Sequence, residues 1–399
     1  MNYKEILKEY CFNHKKINTH CHHLGYNRMI ELGGENSSLF SYLGWCFGDF
    51  GDKEKIKKSI AAIRARSCYK WFNLALKQLY GKGDFDEETF FEYNRIILDE
   101  EKKDRDFTRF RALLNYEHVI EDAYWNYGDN LGDTELFTPA FRINAFLNGY
   151  DPSYIDQDGY DIVKLTGRVI TDVDEYTENM FSIMEKAKKN GAVAFKCASA
   201  YERGLDFYKA TAKQAQAALT KKSPTDKEIS DFQSYIFYKI CEKSADLDMP
   251  LQVHTGLGQV EKTGALNLAR AIKDNKNTKF VIFHMSFPCY TEALSLAFNF
   301  PNVYLDLCWI PIISEKLAKD CLLATLDMVN LDRICWGCDT WTFEESYGAV
   351  IAISEVLAAV LSEKTESGVF TPDFAKRVID RIMYENASSL YYHKMLDNT

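Results

Sequence analysis

Two histidines stand two residues apart in the run THCHH, at His20 and His22. Where such a run ends a β-strand, both imidazoles point to one face and offer two nitrogens to a single metal ion. A lone His-x-His pair is common without a metal, so its meaning rests on what accompanies it. The chain has only eight histidines. Two more, His254 and His284, each close an apolar segment, and Asp339 closes another. Imidazoles with one carboxylate suit Zn2+, and also Mn2+ or Fe2+. Residues this far apart in sequence form one site only if the fold gathers the ends of several strands.

The surrounding pattern supplies such strands. Short apolar segments ending in polar or small residues lie at 192–197 (AVAFKC), 251–254 (LQVH), 279–284 (KFVIFH), 302–308 (NVYLDLC) and 333–339 (RICWGCD). Earlier ones lie at 16–22, 118–123 (HVIEDA) and 142–147 (RINAFL), which makes eight. Helical periodicity occupies 173–189, about 231–247, 265–273 and 315–329, then 347–361 and 372–383. The interval between the second and third strands is short for a full helix. Strands alternating with helices predict a parallel sheet, and eight units predict a closed (β/α)8 TIM barrel of class α/β. Residues 1–399 read as a single domain, with a mainly helical insertion at about 24–110 that contains the aromatic run LFSYLGWCFGDFGD. In such a barrel the C-terminal ends of the strands face one rim, which is where His20, His22, His254, His284 and Asp339 are expected.

The ordered set His-x-His, Lys, His, His, Asp at the ends of strands one, four, five, six and eight resembles the amidohydrolase superfamily. Within it, the sequence is similar to the amidohydrolase-2 branch, and to the amidohydrolase-like domains that precede glutamine synthetase-like domains in some plant and fungal proteins. The matching stretches are THCHH, AFKCASAYERGL around Lys196, PLQVHTGLGQ around His254, HMSFPCYTEAL after His284, FPNVYLDLCWIP, ICWGCDT and ENASSLY. They cover most of the chain outside the insertion. The resemblance implies that His20, His22 and His254 are metal ligands. Asp339 would bind or approach the metal and take a proton from the water activated there. His284 would be a further ligand or would polarise a substrate carbonyl. Lys196 would hold a substrate carboxylate or, carbamylated, bridge two metals; a lysine snorkelling at a strand end is the plainer alternative.

Weaker candidates surround this set. Tyr201 and Arg203 in AYERGL could line a loop that grips an anion bidentately, although a solvated arginine fits as well. Arg28, Arg142 and Trp341 lie near strand ends or the loops beyond them, where ordinary packing is the weightier reading. His23 points away from the pair if the strand continues. Cys335 and Cys338 form a CxxC without a second pair, so core packing is expected rather than redox or zinc chemistry. Gly256 and Gly258 follow no dinucleotide pattern and are expected to allow close backbone approach.

Composition narrows the class. At 46% hydrophobic and 14% aromatic the chain is too apolar for a disordered protein, and a net charge of −10 leaves no basic face for nucleic acid. Eleven scattered cysteines fit a reduced, cytoplasmic setting. The N-terminus does not read as a signal peptide, and no apolar run of membrane length is expected. The expected function is a metal-dependent hydrolase acting by activated water on a small molecule, anionic if Arg203 grips it. One alternative is a uronate isomerase or decarboxylase on the same scaffold. Another is an inactive binding module, against which the intact ligand set argues. The insertion could cap the site or join copies of the chain into a homo-oligomer.

Overall fold

The computed structural model describes residues 2–33, 39, 53–104, 107–156 and 159–393. Among them, eight strands form one sheet whose spatial order follows the chain. They are β1 (Lys16–Cys21), β2 (Tyr116–Glu121), β3 (Phe137–Arg142), β4 (Ala194–Cys197), β5 (Leu251–His254), β6 (Phe280–Phe283), β7 (Val303–Asp306) and β8 (Ile334–Cys335). From β3 to β8 each neighbour pairs parallel, with Arg142 opposite Lys196, Lys196 opposite Gln252, and His254 opposite Phe283. Most of these strands carry no polar face; β4, β5 and β6 are buried at every position, as expected for strands covered on both sides. The fold is the (β/α)8 barrel.

By its internal contacts the chain divides into two compact units. The first comprises Met1–Val119, Leu307–Asp327 and Trp336–Glu385; the second comprises Ile120–Asp306, Met328–Cys335 and Asn386–Thr399.

In the first unit, β1 is flanked by the segment that follows β8. Backbone bonds run from Thr19 N to Trp336 O, Asp339 N to His20 O, His22 N to Thr340 O and Leu24 N to Trp341 O. The core of this unit is the helix Phe343–Glu366, which starts at the Thr342 cap and packs on the helices Tyr3–Asn13 and Ser67–Tyr80. Trp71, Ala75, Ile351 and Ala352 form its centre. This helix exceeds the expected 347–361 at both ends. It is long and apolar enough to cross a bilayer by composition, contrary to the expectation for the chain, yet 83% of its most apolar window is buried in the protein. It behaves as a core helix.

The insertion between β1 and β2 is helical, as expected, with helices Tyr26–Gly33, Lys53–Ile63, Ser67–Tyr80, Phe90–Lys103 and Thr108–Leu114. Its aromatic run lies outside the described residues, apart from Leu39.

In the second unit, the third strand departs from expectation. It ends at Arg142, and Asn144–Asn148 turns into a 3-10 helix. The run RINAFL is apolar because this turn is buried, not because it is extended. Tyr176 donates to Phe146 O at 2.8 Å, and the Asn144 side chain accepts from Ala198 N at 2.8 Å. Between β2 and β3 there is no helix among the described residues, in line with the short interval. Helices Val173–Lys189 and Asp226–Asp246 follow the predicted periodicity; Thr225 and Glu228 form a capping box that starts the second a turn earlier.

Candidate metal centre

β1 carries His20, His22 follows directly after its last residue, and the backbone bonds described above bring Asp339 beside them. Asp339 sits in the left-handed region at φ 55°, which Asp and Asn tolerate better than most residues. Its amide donates to His20 O at 2.9 Å, which fixes this conformation. His20, His22 and Asp339 are 1%, 7% and 5% exposed. Asp339 Oδ1 lies 3.1 Å from His22 Nε2 and 3.6 Å from His20 Nε2, and one donor atom from each residue falls within 4.8 Å of the others. Two donors each about 2.1 Å from a tetrahedral ion stand about 3.4 Å apart, so the three residues fit one divalent metal. Trp341 packs on His22 with ring centroids 5.3 Å apart.

Gly337 permits this approach. A Cβ there would stand 2.6 Å from Thr19 Oγ1 and 2.8 Å from His20 N. Gly337→Ala is therefore expected to push the Asp339 segment off β1, with a cost of about 1–3 kcal/mol. Urea unfolding of the metal-free protein measures it; an unchanged midpoint would show that the contact yields freely.

The buried Cys338 thiol is pushed up by burial, but hydrogen bonds from Cys21, Thr340, Ser346 and Asn18 outweigh that and hold it below its usual value. Cys335 is buried within β8, and neither cysteine is in a disulfide.

His23, two residues past the end of β1, is buried against the insertion. Its Nε2 lies 3.1 Å from Glu101 Oε1. Arg109 joins Glu101 at 3.2 Å and Glu344 at 2.8 Å, so the insertion helix Phe90–Lys103 is anchored directly behind the His-x-His pair. Sequence reading missed this network because Glu101, Arg109 and Glu344 follow no local motif. Arg28 pairs with Glu31 on the surface of its helix at 3.2 Å.

In the second unit, His254 ends β5 and His284 follows β6. His284 Nε2 and His254 Nδ1 are 2.9 Å apart. This is the arrangement in which one imidazole fixes the tautomer of another. His284, Met285 and Ser286 are all left-handed, at φ 60°, 50° and 58°. Thr255 supports them, donating to Phe283 O at 2.6 Å and accepting from Ser286 N at 3.0 Å. Tyr201, 42% exposed, lies against His254 with centroids 4.6 Å apart. Lys196 is buried, with Nζ 4.0 Å from the centroid of the Phe283 ring.

The two arginines are both bonded within the protein. Arg142, at the end of β3, forms a buried two-point pair with Asp122 at 3.1 and 2.6 Å. Arg203 donates to Gly204 O at 2.8 Å and Gln233 Oε1 at 2.7 Å, and lies 3.5 Å from Asp206. Burial lowers its pKa from the usual value. Both forks are already engaged by protein groups.

The profile of the amidohydrolase family matches residues 155–392, more than half of the chain. Over 240 residues, 55% of the chain, the sequence is 28% identical to Protein fluG of Emericella nidulans; the chain spans only 28% of that relative. Among solved structures, the chain superposes on a uronate isomerase from Thermotoga maritima with TM-score 0.74 at 15% identity, covering 98% of this chain and 97% of the other. A glucuronate isomerase from Caulobacter crescentus gives 0.72 at 14% identity, covering 99% and 95%. A protein from Lactobacillus casei described as a metal-dependent hydrolase gives 0.70 at 18% identity, covering 97% of each. At these identities the structural likeness is one of fold.

Proposed function

The chain belongs to the amidohydrolase family, and we propose that it is a metal-dependent hydrolase acting on a C–N or C–O bond of a small molecule. The observation that carries this reading is the buried set of His20, His22 and Asp339, whose donor atoms lie within 4.8 Å of one another. His20 and His22 would hold the ion, and Asp339 would bind or approach it. When bound, a divalent ion lowers the pKa of water towards neutrality and polarises a carbonyl. Asp339 accepts the proton released from the attacking water and returns it to the leaving group. His254 is proposed as a third imidazole ligand, on the strength of the ordered family motif, with His284 orienting it through the 2.9 Å contact. Lys196 would hold an anionic group of the substrate or, carbamylated, support a second ion. Tyr201 and Trp341 are proposed to line the substrate's path. Arg142 and Arg203 are weaker partners for an anion, since Asp122 and Gln233 already occupy them.

A second reading, metal-dependent isomerisation of a uronate, is favoured by the two isomerases that superpose over nearly the whole chain. It needs no attacking water; the same carboxylate would move a proton between adjacent carbons. Decarboxylation of an aromatic acid stands behind both.

Elemental analysis is expected to find about one equivalent or more of zinc, manganese or iron. Protein that is metal-free and takes up neither zinc nor manganese would instead be a binding module. Screening lactones and amides against uronates separates the two reactions by mass spectrometry, because hydrolysis adds the elements of water to the substrate whereas isomerisation leaves its mass unchanged.

A further inference from the structure

One side chain on β1 has no place in the ligand set, yet it touches the backbone on either side of it. Asn18 is fully buried and precedes His20 by two residues, so it shares the face of the two histidines. Its Oδ1 accepts from the amide of Cys338 at 2.9 Å and from the amide of His20 at 3.3 Å. Its Nδ2 lies 2.8 Å from Cys338 Sγ and donates to it. Cys338 is the residue before Asp339. A single amide group thus binds the backbone of one proposed ligand and both the backbone and the side chain of the residue beside another.

We propose that Asn18 is a positioning residue for the metal centre, tying the backbone of His20 to the segment that presents Asp339. This rests on the metal reading above. The physical argument is one of geometry. Asp339 is held in a left-handed conformation, and the segment carrying it meets β1 and the residues just after it through backbone bonds at Trp336, Asp339, Thr340 and Trp341, with the Asn18 bridge holding Cys338 immediately before Asp339. Without the bridge, the Cys338 amide loses this acceptor, and the Asp339 carboxylate one residue on can shift relative to the imidazoles. Packing alone would place an apolar residue at a site this buried, because an unbonded amide there is costly. An asparagine whose oxygen serves two amides and whose nitrogen serves a thiol is satisfied only in this arrangement.

The test is zinc affinity of the full chain, measured by competition with a chromophoric chelator, with thermal unfolding of the metal-free protein alongside. Asn18→Ala is expected to weaken zinc binding about tenfold to a hundredfold, the usual range for a residue that supports a ligand from behind. Asn18→Asp keeps an acceptor for both amides and is expected to recover to within a few-fold of the parent. Ile351→Ala, in the helix core around Trp71, serves as the control: it should lower the unfolding temperature and leave zinc affinity within about twofold, the scatter expected of a remote site. If Asn18→Ala does not fold, Asn18→Ser makes the same comparison, since its shorter hydroxyl cannot reach both amides. Zinc binding by the Asn18 variants as tight as that of a zinc-binding parent would overturn the positioning role and leave the metal reading standing. A parent that binds no zinc would overturn both.

Discussion

Asp339→Asn protein is expected to fold like the parent, to hold zinc when the metal is supplied in excess, and to turn substrate over about 10²–10⁴-fold more slowly, the contribution typical of a positioned general base. The substitution keeps the shape of the side chain. It also suits the backbone, because asparagine adopts the left-handed conformation that position 339 requires at φ 55°. The amide of residue 339 still donates to His20 O. What is lost is the negative charge and the lone pair that accepts a proton, at an atom now 3.1 Å from His22 and 3.6 Å from His20. Asp339→Ala is a poorer test, since alanine in the left-handed region adds strain of about 1 kcal/mol. The assay is kcat at saturating zinc on whichever substrate the screen identifies, with thermal unfolding as the fold control. A variant with near-normal kcat and full metal occupancy would reject the proton-accepting role while leaving ligation intact.

The parts of this centre that were legible in the sequence are those that depend on strand periodicity. His20 near the end of β1 and His22 just past it come together because the chain stays paired with the segment after β8, and Asp339 announces itself as a carboxylate ending an apolar run. The strands other than the third were legible as short apolar segments, most of them between helical stretches. The failures have a common physical origin. RINAFL is as apolar as a strand, but its burial comes from a turn packed under Tyr176, and hydrophobicity does not distinguish the two. The eighth segment reads as a strand to Asp339, whereas Ile334–Cys335 alone pairs as β8 and the rest runs beside β1. The partners of Arg142 and Arg203, Asp122 and Gln233, lie 20 and 30 residues away and form no motif with them, so these contacts were not legible. Asn18 was invisible for the same reason: its importance lies in Cys338, 320 residues on.

The largest effect on stability is expected from a glycine rather than from any ligand. Gly256 follows β5 at φ 80°, and a Cβ placed on it would stand 2.2 Å from Phe287 O, 2.5 Å from Ser286 C and 2.6 Å from Phe287 N. All three are backbone atoms, so no rotamer change relieves the overlap. They belong to the stretch after His284 that is already left-handed over three residues, and that Thr255 holds through its hydroxyl. Gly256→Ala therefore combines a disfavoured φ, about 1 kcal/mol, with overpacking against fixed backbone, about 1–3 kcal/mol. A loss of about 2–4 kcal/mol is expected, read as a lower urea midpoint for the metal-free protein. The same displacement acts on the imidazole pair: moving Ser286 and Phe287 away from Gly256 draws His284 from its 2.9 Å contact with His254. Gly258→Ala offers a comparison, because its Cβ would meet Ala200 O at 2.4 Å, on the loop after β4 rather than the one after β6. If the two variants destabilise alike but only Gly256→Ala weakens zinc binding, the loop after β6 serves to hold His284. A Gly256→Ala protein with the parent's urea midpoint would mean that this loop shifts without cost, and that the left-handed run around His284 is not held in place by its neighbours.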